Sequence, residues 1–343
     1  MNPTFTVHAV NTPIPEQPWL QALATAIRTP EALLNALDLS AHQLPPIFNG
    51  GDKFPLRVPL SFVSRMKKGD PNDPLLRQVL PLDEENSFSH GYLTDPVGDL
   101  NASKTPGLLH KYHGRALMIT TGACAVHCRY CFRRHFPYSE QNAASNEWDE
   151  SIRHITQDNT INEVILSGGD PLALSDQRLA TLLERLTQIP HLKRLRIHTR
   201  LPVVIPQRIT DTLITLLANC RLTPIIVIHT NHANEIDAKL HRALKRLKTI
   251  PDITLLNQSV LLQGVNDNSQ ALISLSEALF DSGVTPYYLH LLDKAQGTAH
   301  FNVSVARAIA LLKEVQASLP GYLVPRLAQE EAGATSKTLI TTT

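Results

Sequence analysis

The sequence predicts an α/β fold built as a partial (βα)6 barrel. From Arg115 onward, apolar runs rich in β-branched residues alternate with segments of helical period, a pattern typical of a parallel sheet with crossover helices. Six such repeats occur, which fits six strands or an incomplete eight-stranded barrel with its active groups at the carboxyl ends of the strands. A doubly wound sheet is an alternative that the same pattern allows.

The individual elements follow from period and boundaries. Strands are predicted where apolar and β-branched residues run between turn signals, at residues 115–121, 163–168, 192–199, 224–230, 253–262 and 286–292. Helices are predicted where apolar residues recur every three to four positions, at residues 147–159, 175–188, 208–219, 235–249, 268–282 and 304–318.

Three segments result from this pattern. Residues 1–110 are predicted to be a mainly helical N-terminal accessory region, in which short helices such as Pro18 to Leu37 are joined by turns rich in proline and glycine. Residues 111–320 form the predicted barrel. Residues 321–343 form a C-terminal segment, with a late strand at Leu323 to Leu327 and a polar tail after it.

The composition excludes several classes of function. A formal net charge of +1 over 343 residues gives no basic excess that would collect nucleic acid or anionic membrane. The N-terminus has no targeting pattern, and no stretch approaches the ~20 apolar residues of a membrane span. Three of the four cysteines lie within eight residues, which favours a metal site in a reducing compartment. A cytoplasmic protein without nucleic-acid or membrane partners is predicted, with Cys220 as a small buried residue.

The run CAVHCRYC places the thiols of Cys124, Cys128 and Cys131 on one short loop. Three thiolates around a four-iron cluster leave one iron without a protein ligand, and a cofactor needs such an open position. Zinc is the alternative, because a structural zinc site takes four ligands and His127 or His135 could supply the fourth. The spacing of the cysteines alone allows both an iron–sulfur cluster and a zinc site.

The CxxxCxxC spacing after a first strand resembles that of the radical S-adenosylmethionine (radical SAM) superfamily. The resemblance implies a radical SAM partial (βα)6 barrel, a [4Fe-4S] cluster on the three cysteines and S-adenosylmethionine on the open iron. A glycine turn after the next strand also matches the superfamily, and it is predicted to hold the cofactor through Ser167, Gly168, Gly169 and Asp170.

Longer stretches resemble the lysine 2,3-aminomutase family more narrowly. They include HKYHGRALMITTGACAVHCRYCFRRHFPY, VILSGGDPL, RLRIHTRLPVVIPQRIT, LLNQSVLLQGVNDN and PYYLHLLDKAQGTAHF. The resemblance implies an isomerase that converts L-lysine to (R)-β-lysine with pyridoxal phosphate as a further cofactor. The short form of the family is the most similar. It makes β-lysine for elongation factor P, which implies a functional link to the β-lysylation ligase and an external reductant of the flavodoxin or ferredoxin type.

The family pattern also implies which residues hold pyridoxal phosphate. Lys337 matches the lysine that binds it covalently, and Lys294 is the competing lysine. Lys111, Tyr112 and Arg115 match positions that hold its ring and phosphate, where cations favour a dianion. Further cofactor contacts are predicted from polar groups on or after strands, at His198, Arg200, His229, Asn257 and Gln258.

The predicted substrate residues follow from the charges of lysine. Arg133 matches the position that binds the substrate carboxylate, and Asp293 and Glu330 match those that bind the ε-ammonium. The longer enzymes usually carry aspartate where Glu330 stands, so an aminomutase acting on another amino acid is an alternative. A non-catalytic zinc-binding module is the alternative from a different class.

Overall fold

The computed structural model describes residues 18–48, 54–141 and 148–341. Residues 1–17, where the sequence shows no targeting pattern, lie outside the described residues, as does Glu147, the first residue of one predicted helix. Ten strands form one sheet in chain order: β1 (Ser103–Thr105), β2 (Leu108–Tyr112), β3 (Arg115–Thr121), β4 (Glu163–Gly168), β5 (Arg194–Thr199), β6 (Thr223–His229), β7 (Thr254–Val260), β8 (Thr285–His290), β9 (Arg326–Gln329) and β10 (Thr338–Leu339).

The α-helices lie before the sheet and between its strands. They are α1 (Pro18–Ala24), α2 (Pro30–Ala36), α3 (Leu60–Val63), α4 (Pro74–Arg77), α5 (Asp149–Gln157), α6 (Asp176–Thr187), α7 (Leu201–Val204), α8 (Asp211–Ala218), α9 (Ala238–Leu247), α10 (Ser269–Asp281) and α11 (Val305–Ser318). No helix within the described ranges is both long and apolar enough to cross a membrane.

Strands β3 to β9 are parallel, and each neighbouring pair from β3 to β8 is joined through a helix. Strands β1, β2 and β10 are antiparallel to their neighbours at the two edges. The six predicted strands of the barrel are all present, and β3 and β4 have the predicted bounds. The partial (βα)6 barrel is therefore confirmed, and the doubly wound alternative is not, because the strand order never reverses.

Three predictions outside the barrel repeats were wrong. The helix predicted from Pro18 to Leu37 is two helices, because Thr29 accepts a hydrogen bond from Ala32 N and caps a second helix that begins at Pro30. The accessory region ends in strands β1 and β2, which its sequence pattern did not reveal. The predicted polar tail contains β10, which pairs with β9.

One continuous hydrophobic core joins the accessory region to the barrel. Strand β4 is buried along its whole length, as a central parallel strand covered on both faces should be. The same cluster of buried side chains includes Trp19 of α1, Leu33 of α2 and Leu182 of α6. The accessory helices thus cover one side of the barrel, and a separate small cluster around α10 and α11 covers the other end of the sheet.

The two edges of the sheet approach each other. Lys111 lies on β2 near one edge, and Glu330 directly follows β9 near the other. Lys111 Nζ is 3.0 Å from Glu330 Oε1. The sheet therefore curves almost into a ring, although hydrogen-bonded pairing within the described residues stops at β1 and β10.

Candidate active site

The carboxyl ends of the parallel strands open into a cavity of about 580 Å³. That volume lies within the range of cofactor and ligand sites. The predicted site residues that line it are Lys111, Tyr112, Arg115, Cys124, Cys128, Cys131, Arg133, Ser167, Gly168, Gly169, Asp170, His198, Arg200, His229, Gln258, Asp293, Glu330 and Lys337. The fold thus brings together residues that are more than 200 positions apart in the chain.

Asn257 is the predicted cofactor contact that the structure does not bring into the cavity. Its side chain accepts from Thr230 N at 3.0 Å and donates to Thr230 O at 3.1 Å. Asn257 therefore joins β7 to the end of β6. Its neighbour Gln258 lines the cavity instead, because successive side chains of a strand point to opposite faces.

The three clustered cysteines lie on the loop that follows β3. Ligand sulfurs of one zinc ion would be about 3.8 Å apart, given a Zn–S bond of about 2.3 Å. The three sulfurs are not all within 4.8 Å of one another. Within the described residues, no group that combines these cysteines with His127 or His135 meets that distance, so neither histidine completes a zinc site. This donor set fits a larger cluster with an open corner.

The glycine turn after β4 packs directly against the cysteine loop. Gly168 has φ of +121°, and a Cβ there would lie 2.6 Å from Thr121 O. A Cβ on Gly169 would lie 2.4 Å from Ala123 O. Only glycine fits at these positions. The turn and the loop are therefore one unit, and the backbone of the turn is exposed to the cavity beside the cysteines.

Asp170 holds this turn rather than presenting a free carboxylate. Its Oδ1 accepts from Thr199 Oγ1 at 2.7 Å and Leu172 N at 3.0 Å. Its Oδ2 accepts from Arg200 N at 2.7 Å and Leu201 N at 2.8 Å. Burial raises the pKa of Asp170, and these donors oppose that shift. Asp170 thereby fixes the end of β5 against the turn, and both its oxygens are occupied.

A buried arginine lies beside the cysteine loop. Arg200 Nη1 lies 2.7 Å from Cys128 Sγ and also donates to Tyr130 Oη. Its Nη2 donates to Gln78 Oε1 at 2.7 Å and to Glu235 Oε2 at 3.0 Å. Glu235 is fully buried. A permanent positive charge is therefore fixed against one of the three sulfurs.

His229 belongs to the same network. Its Nε2 is 2.8 Å from Tyr130 Oη, and the two rings stack with centroids 5.6 Å apart. Burial lowers the pKa of His229 well below its usual range, and Arg200 adds to that shift. The histidine is therefore neutral and part of the wall of the cavity. Gln78, Tyr130 and Glu235 are residues that the sequence reasoning missed.

A chain of alternating charges runs along another part of the cavity wall, from Arg133 to Lys337. Arg133 Nε donates to Asp99 Oδ2 at 2.7 Å, and Lys111 Nζ is 2.6 Å from Asp99 Oδ1. Lys111 also pairs with Glu330, whose Oε2 is 2.6 Å from Lys337 Nζ. The sequence reasoning missed Asp99, which is buried between its two cations.

The pKa values in this chain of charges reflect the pairing. Burial raises the pKa of Glu330, but Lys337 and Lys111 outweigh it and bring the value to about 2. The pKa of Asp99 is likewise lowered, because Arg133 and Lys111 outweigh its burial. Both carboxylates are therefore charged at neutral pH and hold the three cations in the cavity.

Asp293 differs from these carboxylates. Burial, with a further contribution from the charge of Glu330, raises its pKa to about 7. No salt bridge joins it to any side chain that the structure describes. A half-buried carboxylate that forms no salt bridge with a cation is poorly stabilised. A positively charged ligand would supply the missing partner.

The lysine and its neighbours fit pyridoxal phosphate. Lys337 lies just before β10 and points into the cavity, whereas the competing Lys294 is exposed and does not line it. His198 Nε2 is buried without a hydrogen-bond partner, and burial keeps its pKa well below the usual range. Arg115 lies over the ring of Tyr112 at 4.7 Å. The cavity thus offers cations for a phosphate and an unused nitrogen for a polar ring.

Comparison with known proteins agrees with this geometry. The family model described as the radical SAM superfamily matches residues 118–268, from β3 to the residue that precedes α10. The L-lysine 2,3-aminomutase of Haemophilus influenzae is 50% identical over 324 residues, which cover 94% of this chain and 96% of that protein. The Escherichia coli L-lysine 2,3-aminomutase is 50% identical over 330 residues, which cover 96% of each.

A more distant relative is longer. The L-lysine 2,3-aminomutase of Clostridium subterminale is 33% identical over 322 residues, which cover 93% of this chain and 77% of that protein. A [4Fe-4S] cluster, S-adenosylmethionine and pyridoxal phosphate are the cofactors that this kinship implies, and the cavity fits them. On the identity and coverage of these relatives, the chain belongs to the L-lysine 2,3-aminomutase family of radical SAM isomerases.

Proposed function

We propose that the chain converts L-lysine to (R)-β-lysine with pyridoxal phosphate, and that this product is used to modify elongation factor P in the cytoplasm. The observation that carries the proposal is Asp293, a half-buried carboxylate on the cavity wall with a raised pKa and no salt bridge among the described residues. A substrate with a cationic side chain supplies the charge that this carboxylate lacks.

Arg133 provides the complementary end of the substrate site. Its Nε is engaged by Asp99, and its Nη1 donates to Ser167 Oγ at 3.1 Å. Neither contact uses Nη2, which remains for a carboxylate. Asp99 fixes the plane of the guanidinium, and a fixed guanidinium binds a carboxylate with defined geometry. A cation at one end and an anion at the other select an α-amino acid with a basic side chain.

Separate groups of residues would hold the three cofactors. When bound, pyridoxal phosphate would supply the conjugated system, and the cluster with S-adenosylmethionine the radical, that together allow nitrogen to migrate. Lys337 would hold pyridoxal phosphate covalently, and Lys111 and Arg115 would balance its phosphate. Cys124, Cys128 and Cys131 would hold the cluster, while the turn at Ser167 to Asp170 would position S-adenosylmethionine.

Glu330 can exchange partners in this arrangement. It is held by Lys337 and Lys111 in the structure. Once the amine of Lys337 is engaged by the cofactor, Glu330 loses one of its two cations. Its charge then becomes available, together with that of Asp293, for the ε-ammonium of lysine. Binding of the cofactor would therefore prepare the site for the substrate.

The (R) configuration and the link to elongation factor P rest on resemblance to the short form of the family. Support comes from identity, since the Haemophilus and Escherichia relatives are 50% identical and the Clostridium relative is 33% identical. The proposed partners are L-lysine, a reductant of the flavodoxin or ferredoxin type and the ligase that attaches β-lysine.

Product analysis tests the proposal. Anaerobically reconstituted protein is incubated with L-lysine, S-adenosylmethionine, pyridoxal phosphate and dithionite, and the products are separated by chiral chromatography. We expect (R)-β-lysine, and none when either organic cofactor is omitted. Arginine and glutamate serve as competing substrates. Faster turnover of either one would contradict the assignment of lysine.

A second experiment tests the destination of the product. The reaction mixture is supplied with elongation factor P and its β-lysylation ligase, and the intact mass of the factor is measured. We expect a mass increase of one lysyl residue that depends on this enzyme when only α-lysine is provided. Equal modification with and without the enzyme would contradict the proposed link.

A further inference from the structure

We propose that His110, His154 and Asp158 form a binding site for a divalent transition-metal ion, best matched by Zn²⁺, outside the catalytic cavity. One donor atom from each of these side chains lies within 4.8 Å of the other two. Among the described residues this is the only group of three or more histidine, cysteine, aspartate or glutamate side chains that meets that distance. None of the three lines the cavity.

The fold places these residues on two adjacent elements. His154 lies in the last turn of α5, and Asp158 is the residue that directly follows this helix. His110 lies on β2. The rings of His110 and His154 meet edge to face, with centroids 6.2 Å apart. The site therefore bridges a strand and a helix that the sequence separates by more than 30 residues.

The hydrogen bonds of Asp158 leave one of its oxygens available. Its Oδ1 accepts from Thr160 N at 3.0 Å and from Thr160 Oγ1 at 2.6 Å. Its Oδ2 lies 3.9 Å from His110 Nδ1, too far for a hydrogen bond. Thr160 thus fixes the carboxylate from behind, as residues that support metal ligands commonly do.

Charged side chains of both signs lie near His110. Asp158 carries the negative charge that favours a bound cation, and Lys104 is the nearby cation that opposes it.

The distances and exposure also suit an ion. Ligands of a tetrahedral zinc ion lie about 3.4 Å apart, given bonds of about 2.0–2.1 Å to nitrogen and oxygen. The side chains of His110 and Asp158 are 16% and 31% exposed. Small rotations can close the remaining gap, and water can complete the coordination. Two imidazoles and one carboxylate match zinc better than calcium or magnesium, which prefer oxygen ligands alone.

The proposed metal site lies on β2, the strand that also carries cavity residues. Neighbouring residues of a strand point to opposite faces, so His110 lies outside while Lys111 lines the cavity with Asp99 and Glu330. An ion on His110 would tie β2 to α5. It would thereby restrain the strand that carries Lys111 and Tyr112.

Zinc binding to the tag-free, cluster-reconstituted enzyme tests the inference, because the bare cysteines of the apoprotein would bind zinc themselves. Bound zinc is measured by elemental analysis after dialysis, with iron measured in the same sample. Affinity is measured by competition with a chelator. We expect one zinc per chain in addition to the iron, bound at least about tenfold more weakly by His154→Gln and by Asp158→Asn.

The melting temperature provides an independent readout. We expect zinc to raise it in the wild type and in His42→Gln, which removes an exposed histidine elsewhere, but not in the two site variants. The absorbance of the cluster and the melting temperature without zinc report whether each variant is folded. If His154→Gln does not fold, Asp158→Asn carries the test. Equal zinc binding by the wild type and a folded site variant would overturn the inference, and so would no binding by the wild type at micromolar zinc.

Discussion

The two ends of the cavity are built in different ways. At the cysteine end, both oxygens of Asp170 and both terminal nitrogens of Arg200 are held by hydrogen bonds from within the protein. At the other end, Glu330 is held by two lysines, and Asp293 has no salt bridge within the described residues. The first end is preorganised before anything binds. The second is arranged so that a ligand replaces or supplies a partner.

This difference has a physical basis. A cluster and its radical chemistry need fixed distances, and a buried network with many hydrogen bonds provides them. A substrate must bind and leave, so the groups that recognise it need charges that are incompletely compensated in its absence. The contrast predicts that substitutions at the cysteine end remove or retune the cluster, whereas substitutions at the charged end change the affinity for substrate.

The largest effect is expected for Cys128→Ala. Removing one of three cluster ligands should lower the iron content sharply and reduce formation of β-lysine to the background rate, which product chromatography and iron analysis can measure. Cys220→Ala is the matched control, since Cys220 lies outside the cavity lining. Substantial turnover by Cys128→Ala would show that the cluster end does not hold the cluster as described.

Asp293→Asn tests the charged end. Leaving a substrate cation without its buried partner costs about 2–5 kcal/mol, so kcat/KM for lysine should fall about 30-fold or more while the iron content stays normal. Glu331→Gln, a change at the exposed neighbour of Glu330, is the control and should keep its activity. A loss of iron in Asp293→Asn would contradict the prediction that Asp293 acts on the substrate and not on the cluster.

The pH dependence of substrate binding is a second test of the role of Asp293. Because burial raises the pKa of Asp293 to about 7, the carboxyl is largely protonated at pH 6 and largely ionised at pH 8. A cation binds the ionised form, so KM for lysine should fall about tenfold between these values. Steady-state kinetics across this range measure it. Where Asp293→Asn retains activity, its KM for lysine should depend less on pH. An equal dependence of KM on pH in the variant and the wild type would contradict the role of Asp293 in binding the substrate cation.

The smallest effect is expected for Arg200→Met. The positive charge beside Cys128 Sγ favours the reduced, more negative cluster, so its loss should lower the midpoint potential. A hydrogen bond to a charged group is worth about 1.5–3 kcal/mol, and only part of that differs between the two oxidation states, so we expect a fall of some tens of millivolts. Potentiometric titration followed by electron paramagnetic resonance measures it. Arg246→Met, at an exposed ion pair, should leave the potential unchanged.

Local patterns in the sequence were sufficient to predict the barrel strands and the residues that follow them. Strand period and turn signals act over a few residues, so the ends of β3 and β4 were placed correctly. Asn257 and Gln258 show the limit of this approach. Both were chosen from one strand, although neighbouring side chains of a regular strand point to opposite faces, and here only Gln258 lines the cavity.

Residues that act through distant contacts gave no such signal. Gln78 Nε2 donates to Glu235 Oε1 across 157 positions at 3.1 Å, and no periodicity reveals such a pair. Asp99 lies in the accessory region just before β1, and only the fold shows it between Arg133 and Lys111. The segment around Lys337 looked like a polar tail because a two-residue strand has no pattern of its own.

The contact between Lys111 and Glu330 has a consequence for how the ring of strands is held closed. The two borders of the sheet, at β2 and β9, are not joined by backbone hydrogen bonds within the described residues. At this seam, an ion pair between charged side chains joins them. Separating the two borders would break this ion pair but no hydrogen bond between paired strands of the described residues. The seam is therefore the part of the ring whose separation needs no loss of strand pairing.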